Sequence, residues 1–115
     1  DQGDYTEALP NYLIVLEGEP DPIEESRALA RIGWMAYITG QTNTAADYIG
    51  ASLATDPENG EGKLFLAMVL FEGQGDAEGA IPLFEEVLAI QGLPDDMRAA
   101  VEAVLGEARE TLELP

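Results

Sequence analysis

The apolar and polar positions of this chain repeat three times in one register. The windows 3–16, 40–53 and 75–88 each begin with Gly, carry Ala five residues later and a large apolar residue four further on, and end with Leu. Ala, the large apolar residue and Leu fall at i, i+4 and i+8, on one face of a helix. The four columns are Gly3, Gly40 and Gly75; Ala8, Ala45 and Ala80; Tyr12, Ile49 and Phe84; Leu16, Leu53 and Leu88. The pattern predicts three helices of the same kind.

The first residues of each window indicate how these helices begin. Gly is able to end the preceding helix in a left-handed conformation. Asp4 and Asp76 follow and can accept hydrogen bonds from the first free amides of the next helix, and Asp4 with Glu7 forms a capping box. In the middle window we expect Thr42 or Thr44 to serve as the cap.

A second kind of helix is predicted between the windows. Residues 24–39 place apolar residues on one stripe after the start signal Asp21-Pro22. Residues 61–73 do the same, although their apolar run 64–71 is also compatible with a buried strand. We favour a helix, because Leu, Ala and Met dominate the run and it never alternates with polar residues. The stripes comprise Leu29, Ile32, Gly33 and Ala36 in the first segment and Leu66, Ala67 and Leu70 in the second.

The last segment, 95–112, predicts a third kind of helix with a single apolar face. That face consists of Met97, Val101, Val104, Leu105, Ala108 and Leu112. We expect this helix to cover the open end of a stack of helix pairs.

With these columns the chain resembles a tetratricopeptide repeat protein, whose unit is a helix pair of about 34 residues. The middle unit carries the pattern best, and the third has one extra residue in its turn "EGQGD". The matching positions are Leu29, Ile32, Gly33, Ala45, Ile49, Ser52, Leu53, Asp56 and Pro57, then Leu66, Ala67, Leu70, Ala80, Phe84, Val87 and Leu88. Tetratricopeptide repeats usually have an aromatic residue at the fourth position of the first helix, and this chain has Leu29 there.

The resemblance implies an all-α fold, a right-handed α-solenoid of antiparallel helix pairs with a C-terminal capping helix. Residues 1–115 would form a single domain. Its parts would be 3–18 as the second helix of a truncated first unit, 22–56 and 58–91 as the second and third units, and 95–112 as the capping helix.

The charge balance is strongly acidic, with 23 Asp and Glu against 5 Lys and Arg and a net charge of -18. Nucleic acid is excluded as a partner, because phosphate binding needs clustered Lys and Arg, and anionic membrane surfaces are disfavoured for the same reason. A basic protein or peptide would be attracted. Solubility or adaptation to a salty environment would also explain the acidity.

The residue types available exclude much catalytic chemistry. The chain has no Cys and no His, which excludes disulfides, thiolate or imidazole zinc sites and Ser-His triads. The pairs Glu24-Glu25 and Asp95-Asp96 stand at predicted helix starts, where acids favour the helix dipole. No residue stands out as a nucleophile or base. We therefore expect neither an enzyme nor a metal or cofactor.

The longest apolar run, 64–71, is too short to span a bilayer. The chain begins with Asp1 inside a helical pattern, so we expect a fragment, and a targeting segment or membrane anchor could lie upstream of it. Cytoplasmic and extracytoplasmic locations both stay open for this domain.

In the tetratricopeptide family the first helix of each pair lines a concave groove that holds a peptide or a partner helix. The resemblance implies six candidate partner-binding residues, which share the groove-facing positions with Glu61 and Glu72. These candidates are Arg27, Arg31, Trp34, Ile38, Phe65 and Met68.

Arg27 and Arg31 lie four residues apart on one helical face, and paired guanidinium groups bind carboxylates well. The alternative is that Glu24, or acids on a neighbouring helix, neutralise them. The apolar candidates, together with Met35, are more large hydrophobes than two helices need for packing on one side. Met and aromatic residues are typical of interfaces. The alternative is that they belong to the core or are covered by the C-terminal helix.

These features favour a scaffold that binds a peptide or partner protein in the groove. The C-terminal half also resembles the tetratricopeptide domain of bacterial cytochrome c biogenesis proteins, which implies an extracytoplasmic factor that holds apocytochrome. A structural or oligomerisation role is the third hypothesis, in which the helix ending at Leu16 would expose an apolar face and pair with a second copy of the chain.

Overall fold

The structure, a computed structural model, describes residues 12–113, and these are all-helical with no strand among them. The elements are α1 (12–17), α2 (Pro22–Ile38), α3 (Thr42–Thr55), α4 (Gly60–Met68) with a π-helical turn (Val69–Gly73), α5 (Ala77–Leu88) and α6 (Asp95–Glu113). The helices predicted from 24, 61 and 95 onward are confirmed, and the strand alternative for 64–71 is wrong. The predictions for Gly3, Asp4, Glu7 and Ala8 lie outside the described residues.

The predicted start signals of two helices are confirmed. The Asp21 carboxylate accepts a hydrogen bond from the Glu24 amide at 2.8 Å, and Asp76 accepts one from the Gly79 amide at 2.9 Å. These bonds satisfy amides that have no partner inside the helix. The amide of Glu24 also holds the pKa of Asp21 below its usual value.

The turns before α3 and α5 use glycine as predicted, but the predicted cap of α3 is wrong. Gly40 and Gly75 have φ of +88° and +68°, a conformation that suits glycine. The N-cap of α3 is Gln41, whose side chain makes no capping hydrogen bond. Thr42 is already the first helical residue, and a cap must stand one position earlier.

α2 and α3 form an antiparallel pair whose backbones approach closely. Ser26 near the start of α2 meets Ser52 near the end of α3. Further along, a Cβ on Gly33 would lie 2.5 Å from Ile49 Cγ1 and 3.0 Å from the Ala45 carbonyl oxygen. The absence of a side chain at Gly33 is therefore a packing requirement of this pair.

α4 begins a second antiparallel pair and runs in the same direction as α2. Its Glu61 binds Arg31 and its Phe65 stacks on Trp34, so positions about thirty residues apart along the chain are neighbours. Lys63 of α4 binds Glu86 of the antiparallel α5 at 3.2 Å. α6 returns antiparallel to α5, with contacts from Glu85 to Arg109 and from Leu88 to Arg98.

The extra residue predicted in the third unit is accommodated by the π-helical turn that ends α4. A π-helical turn holds one more residue than an α-helical turn over the same path. The Asp76 amide closes it by donating to the Leu70 carbonyl oxygen at 2.7 Å. Gly73 at its end lies against Tyr37 and Thr42, where a Cβ would come within 2.9 Å and 2.7 Å of their side chains.

Two apolar clusters form the core, and α4 contributes to both. The cluster between α2, α3 and the π-helical turn is built on Ala45, Ile49 and Val69. The cluster between α4, α5 and α6 is built on Ala67, Ala80, Phe84, Val87, Val101 and Leu105. Because successive residues of α4 and its extension face different clusters, this segment ties the two helix pairs together.

Candidate functional site

An open apolar cleft of about 450 Å³ lies where α2, α4, α5 and α6 meet. Its floor and walls are almost wholly apolar, and one carboxylate, that of Asp96, stands at its edge. The side chains that define the cleft are Trp34, Phe65, Met68, Met97 and Val104. Pockets of this size and polarity are typical of ligand-binding sites.

Two of the residues that line the cleft, Trp34 and Phe65, stack on each other. Trp34 and Phe65 lie with ring centroids 4.7 Å apart and planes 16° from parallel. Tyr37, one turn further along α2, packs against Trp34 at 5.2 Å. These rings meet because α2 and α4 are parallel neighbours, and Trp34 and Phe65 occupy corresponding positions on them. Flat, rigid aromatic surfaces are common anchors of protein interfaces.

α6 supplies the opposite wall. Its buried residues Val101 and Leu105 pack on Phe84 of α5, and this contact fixes the direction in which α6 leaves the turn. Arg98 donates to the Leu88 carbonyl oxygen at 3.0 Å and holds the start of α6 to the end of α5. Met97 consequently stands at the mouth of the cleft with 43% of its surface exposed.

A second, polar recess of about 440 Å³ opens between the starts of α2 and α4. Arg27 and Arg31 line it together with the carboxylates of Asp56, Glu58 and Glu61. Arg31 Nε donates to Glu61 Oε1 at 3.0 Å, and this bond raises the pKa of Arg31 above its usual value. The recess therefore holds more carboxylates than guanidinium groups.

The structure divides the six predicted partner-binding residues between these places. Trp34, Phe65 and Met68 come together in the apolar cleft. Arg27 and Arg31 line the polar recess, and an acid on a neighbouring helix binds Arg31, the arrangement weighed above as an alternative to partner binding. Ile38 is half-buried at the end of α2 and lines neither the apolar cleft nor the polar recess.

Sequence reasoning placed no residue of α6 in the site, although Met97, Val104 and Asp96 line the cleft. The apolar face of 95–112, which includes Met97, shows that this helix packs on others but not that it borders the cleft. Met35, predicted as one of the groove hydrophobes, is buried and does not line the cleft.

Within residues 12–113 the buried polar side chains serve packing. Ser26 and Ser52 donate to each other's carbonyl oxygens at 2.8 Å, and the Asn59 amide nitrogen donates to both hydroxyl oxygens at 2.9 and 3.3 Å. Asn59 also caps α4 by accepting from the Gly62 amide. Every member has its partners, so this cluster joins α2, α3 and α4 rather than presenting a reactive group.

Residues 12–113 contain no group of three Asp or Glu side chains placed to hold a metal ion. None of the helices described here combines the length and apolar character needed to cross a membrane. The arrangement is suited to holding an apolar surface.

Comparison of the sequence with protein-family models gave no match, and a search of curated proteins gave none either.

Proposed function

We propose that this protein is a tetratricopeptide-like scaffold that binds a segment of another protein in the apolar cleft. In this proposal α2–α3 and α4–α5 are successive helix pairs of a right-handed solenoid, and α6 is the capping helix. The parallel course of α2 and α4, and the antiparallel course within each pair, support that arrangement. So does the repeat of Gly, Ala, large apolar residue and Leu in the sequence.

The observation that carries the proposal is the cleft itself. Trp34, Phe65, Met68 and Met97 leave apolar surface open to solvent in a concave place between four helices. Exposed concave apolar surface is costly in water and marks interaction sites in soluble proteins. Met side chains adapt to differently shaped partners, and stacked aromatic rings provide a rigid base against which a partner's side chain can pack.

A displayed library of random peptides, panned against the protein, tests the proposal. Selected peptides are then titrated against Met97→Glu, which places a charge at the mouth of the cleft. Leu112→Glu is the matched control, because Leu112 is 52% exposed on the same helix but lies outside the cleft. We expect Met97→Glu to weaken binding by about tenfold or more, equal to about 1.4 kcal/mol, and Leu112→Glu to change it little. Equal effects of the two variants, or no selected peptide, would contradict the proposal.

A second copy of the chain is a second candidate partner, at a different surface. Leu13, Ile14 and Val15 of α1 are all exposed. Adjacent exposed apolar residues favour association. Sedimentation velocity of the protein and of Ile14→Glu tests this function: a dimer that the substitution dissociates supports it, and a monomer at high concentration contradicts it.

A further inference from the structure

The charges that surround the cleft indicate the chemistry of its partner. The chain carries 23 acidic and 5 basic residues. Three of the basic side chains, Arg31, Lys63 and Arg109, are bound to carboxylates of neighbouring helices. Arg98 is bound to a backbone carbonyl. The surface that a partner meets is therefore rich in carboxylates.

The carboxylates are placed at both ends of the cleft. Glu72 follows Met68 by one turn, in the π-helical turn that extends α4, and accepts a hydrogen bond from the Tyr37 hydroxyl at 3.5 Å. Because this donor is neutral, Glu72 keeps its negative charge. On α6 the stripe that carries Val104 begins near Asp96 and continues to Glu107, one turn beyond Val104. Glu72 and Glu107 thus each lie about one turn beyond the last residue of their segment that lines the cleft.

α4 and α6 run in the same direction, because each is antiparallel to α5. Asp96 lines the cleft near the end where α4 and α6 begin. Glu72 and Glu107 do not line the cleft, but they follow Met68 and Val104, the last lining residues of their segments, and so lie beyond its other end. Glu61, near the start of α4, is already engaged by Arg31.

The size of the cleft limits what enters it. A volume of about 450 Å³ suits a few large side chains and not the face of a folded domain. A segment that inserts apolar side chains over Phe65 would place its flanking residues next to the carboxylates at both ends. Lys or Arg at those flanks would be attracted, whereas Asp or Glu would be repelled.

We propose that the cleft binds a basic amphipathic segment of a partner protein, with apolar side chains against Trp34, Phe65 and Met97 and Lys or Arg side chains toward Glu72, Asp96 and Glu107. This inference rests on the proposed function and specifies the partner that the function requires. Apolar contact supplies most of the affinity, and the flanking charges select basic over acidic segments.

The test uses the fluorescence of Trp34, the one Trp of the chain, which lines the cleft. The probes are three synthetic peptides of about four helical turns without Trp. One is built from Leu and Lys in an amphipathic pattern, one replaces every Lys with Glu, and one replaces every Leu with Gln. Titrations at about 0.1 M salt, where the Debye length is about 10 Å, limit attraction by distant charges.

We expect the Leu-Lys peptide to change the emission of Trp34 and to bind at least about tenfold more tightly than either other peptide. If the two Leu-containing peptides bind equally, the inference is wrong and the proposed function stands. If none of the three peptides changes Trp34 emission, both are contradicted.

Charge-removing variants separate a local site from general attraction to an acidic protein. The cleft variant combines Glu72→Gln, Asp96→Asn and Glu107→Gln. The matched control removes three exposed charges elsewhere, with Asp47→Asn, Glu78→Gln and Glu102→Gln. We expect the cleft variant to bind the Leu-Lys peptide about tenfold more weakly and the control to change by less than about threefold. Equal losses in the two variants would overturn the inference.

Discussion

Trp34 of α2 stacks on Phe65 of α4, with ring centroids 4.7 Å apart and ring planes 16° from parallel. The two residues are separated by thirty-one positions in the sequence and join two successive helix pairs. Both rings also line the apolar cleft. The stack therefore both stabilises the junction between the pairs and shapes the surface offered to a partner.

The stack predicts an energetic coupling between its two residues. In a double-mutant cycle of Trp34→Ala and Phe65→Ala, followed by circular dichroism in urea, we expect a coupling of about 1 kcal/mol. The same cycle with Trp34→Ala and Tyr48→Ala is the control, because Tyr48 is exposed on α3 and makes no stack with Trp34. If the two substitutions in the first cycle lower the free energy of unfolding additively, the rings stabilise the protein only by being buried and not by stacking on each other.

The Ser26, Ser52 and Asn59 cluster predicts a penalty for Asn59→Asp. Asp caps helices as well as Asn does, so the start of α4 keeps its cap. The two hydroxyl oxygens, however, would lose the amide donor and face a carboxylate oxygen. We expect a loss of about 2 kcal/mol in the free energy of unfolding. Asp76→Asn, the reverse exchange at the exposed cap of α5, should change stability by much less in the same denaturant titration.

Two glycines inside helices should respond oppositely to a methyl group. Gly33→Ala would place its Cβ 2.5 Å from Ile49 and should destabilise the protein by about 1–3 kcal/mol, because α2 and α3 would be forced apart. A Cβ on Gly50 in α3 meets nothing within 4 Å. Gly50→Ala should therefore stabilise the protein by about 0.5–1 kcal/mol through helix propensity. Thermal unfolding of the two variants measures both effects, and a stabilising Gly33→Ala would refute the close approach of the pair.

Because of Tyr37, we predict that the protein loses stability at alkaline pH. Burial, and secondly the neighbouring Glu72 carboxylate, raise the pKa of Tyr37 above its usual value of 10.0. Because the folded pKa lies above the unfolded one, this contribution to stability is fully present below pH 10.0 and is lost as the pH rises through the folded pKa. Urea unfolding of the wild type and of Tyr37→Phe on both sides of that pH should show a smaller loss in the variant. If the wild type and Tyr37→Phe lose the same free energy of unfolding, Tyr37 does not contribute to the pH dependence.

The helices could be predicted from the sequence because their signals are local. Asp21 and Asp76 cap the helices that follow them, and the apolar stripes have helical spacing. The cap of α3 was predicted wrongly, since a run with two Thr residues does not show where the turn after Gly40 places the first helical residue. The extra residue near Gly73 is visible in the repeat register, but the register does not show that a π-helical turn accommodates it.

The cleft could be predicted only in part. Trp34, Phe65 and Met68 follow from helical spacing once α2 and α4 are assumed to be neighbours. The wall formed by Met97 depends on the angle at which α6 leaves α5, and the packing of Val101 on Phe84 sets that angle. Nothing local to 95–112 carries this information.

The central claim, that the cleft receives a partner segment, is tested most directly by the methyl resonances of the three methionines. Met68 and Met97 line the cleft, whereas Met35 is buried outside it and serves as an internal control. In spectra of protein labelled with ¹³C at the methionine methyl groups, recorded during titration with a selected peptide, we predict that the Met68 and Met97 signals shift and that of Met35 stays nearly unchanged. A bound peptide that leaves Met68 and Met97 unshifted would contradict the account.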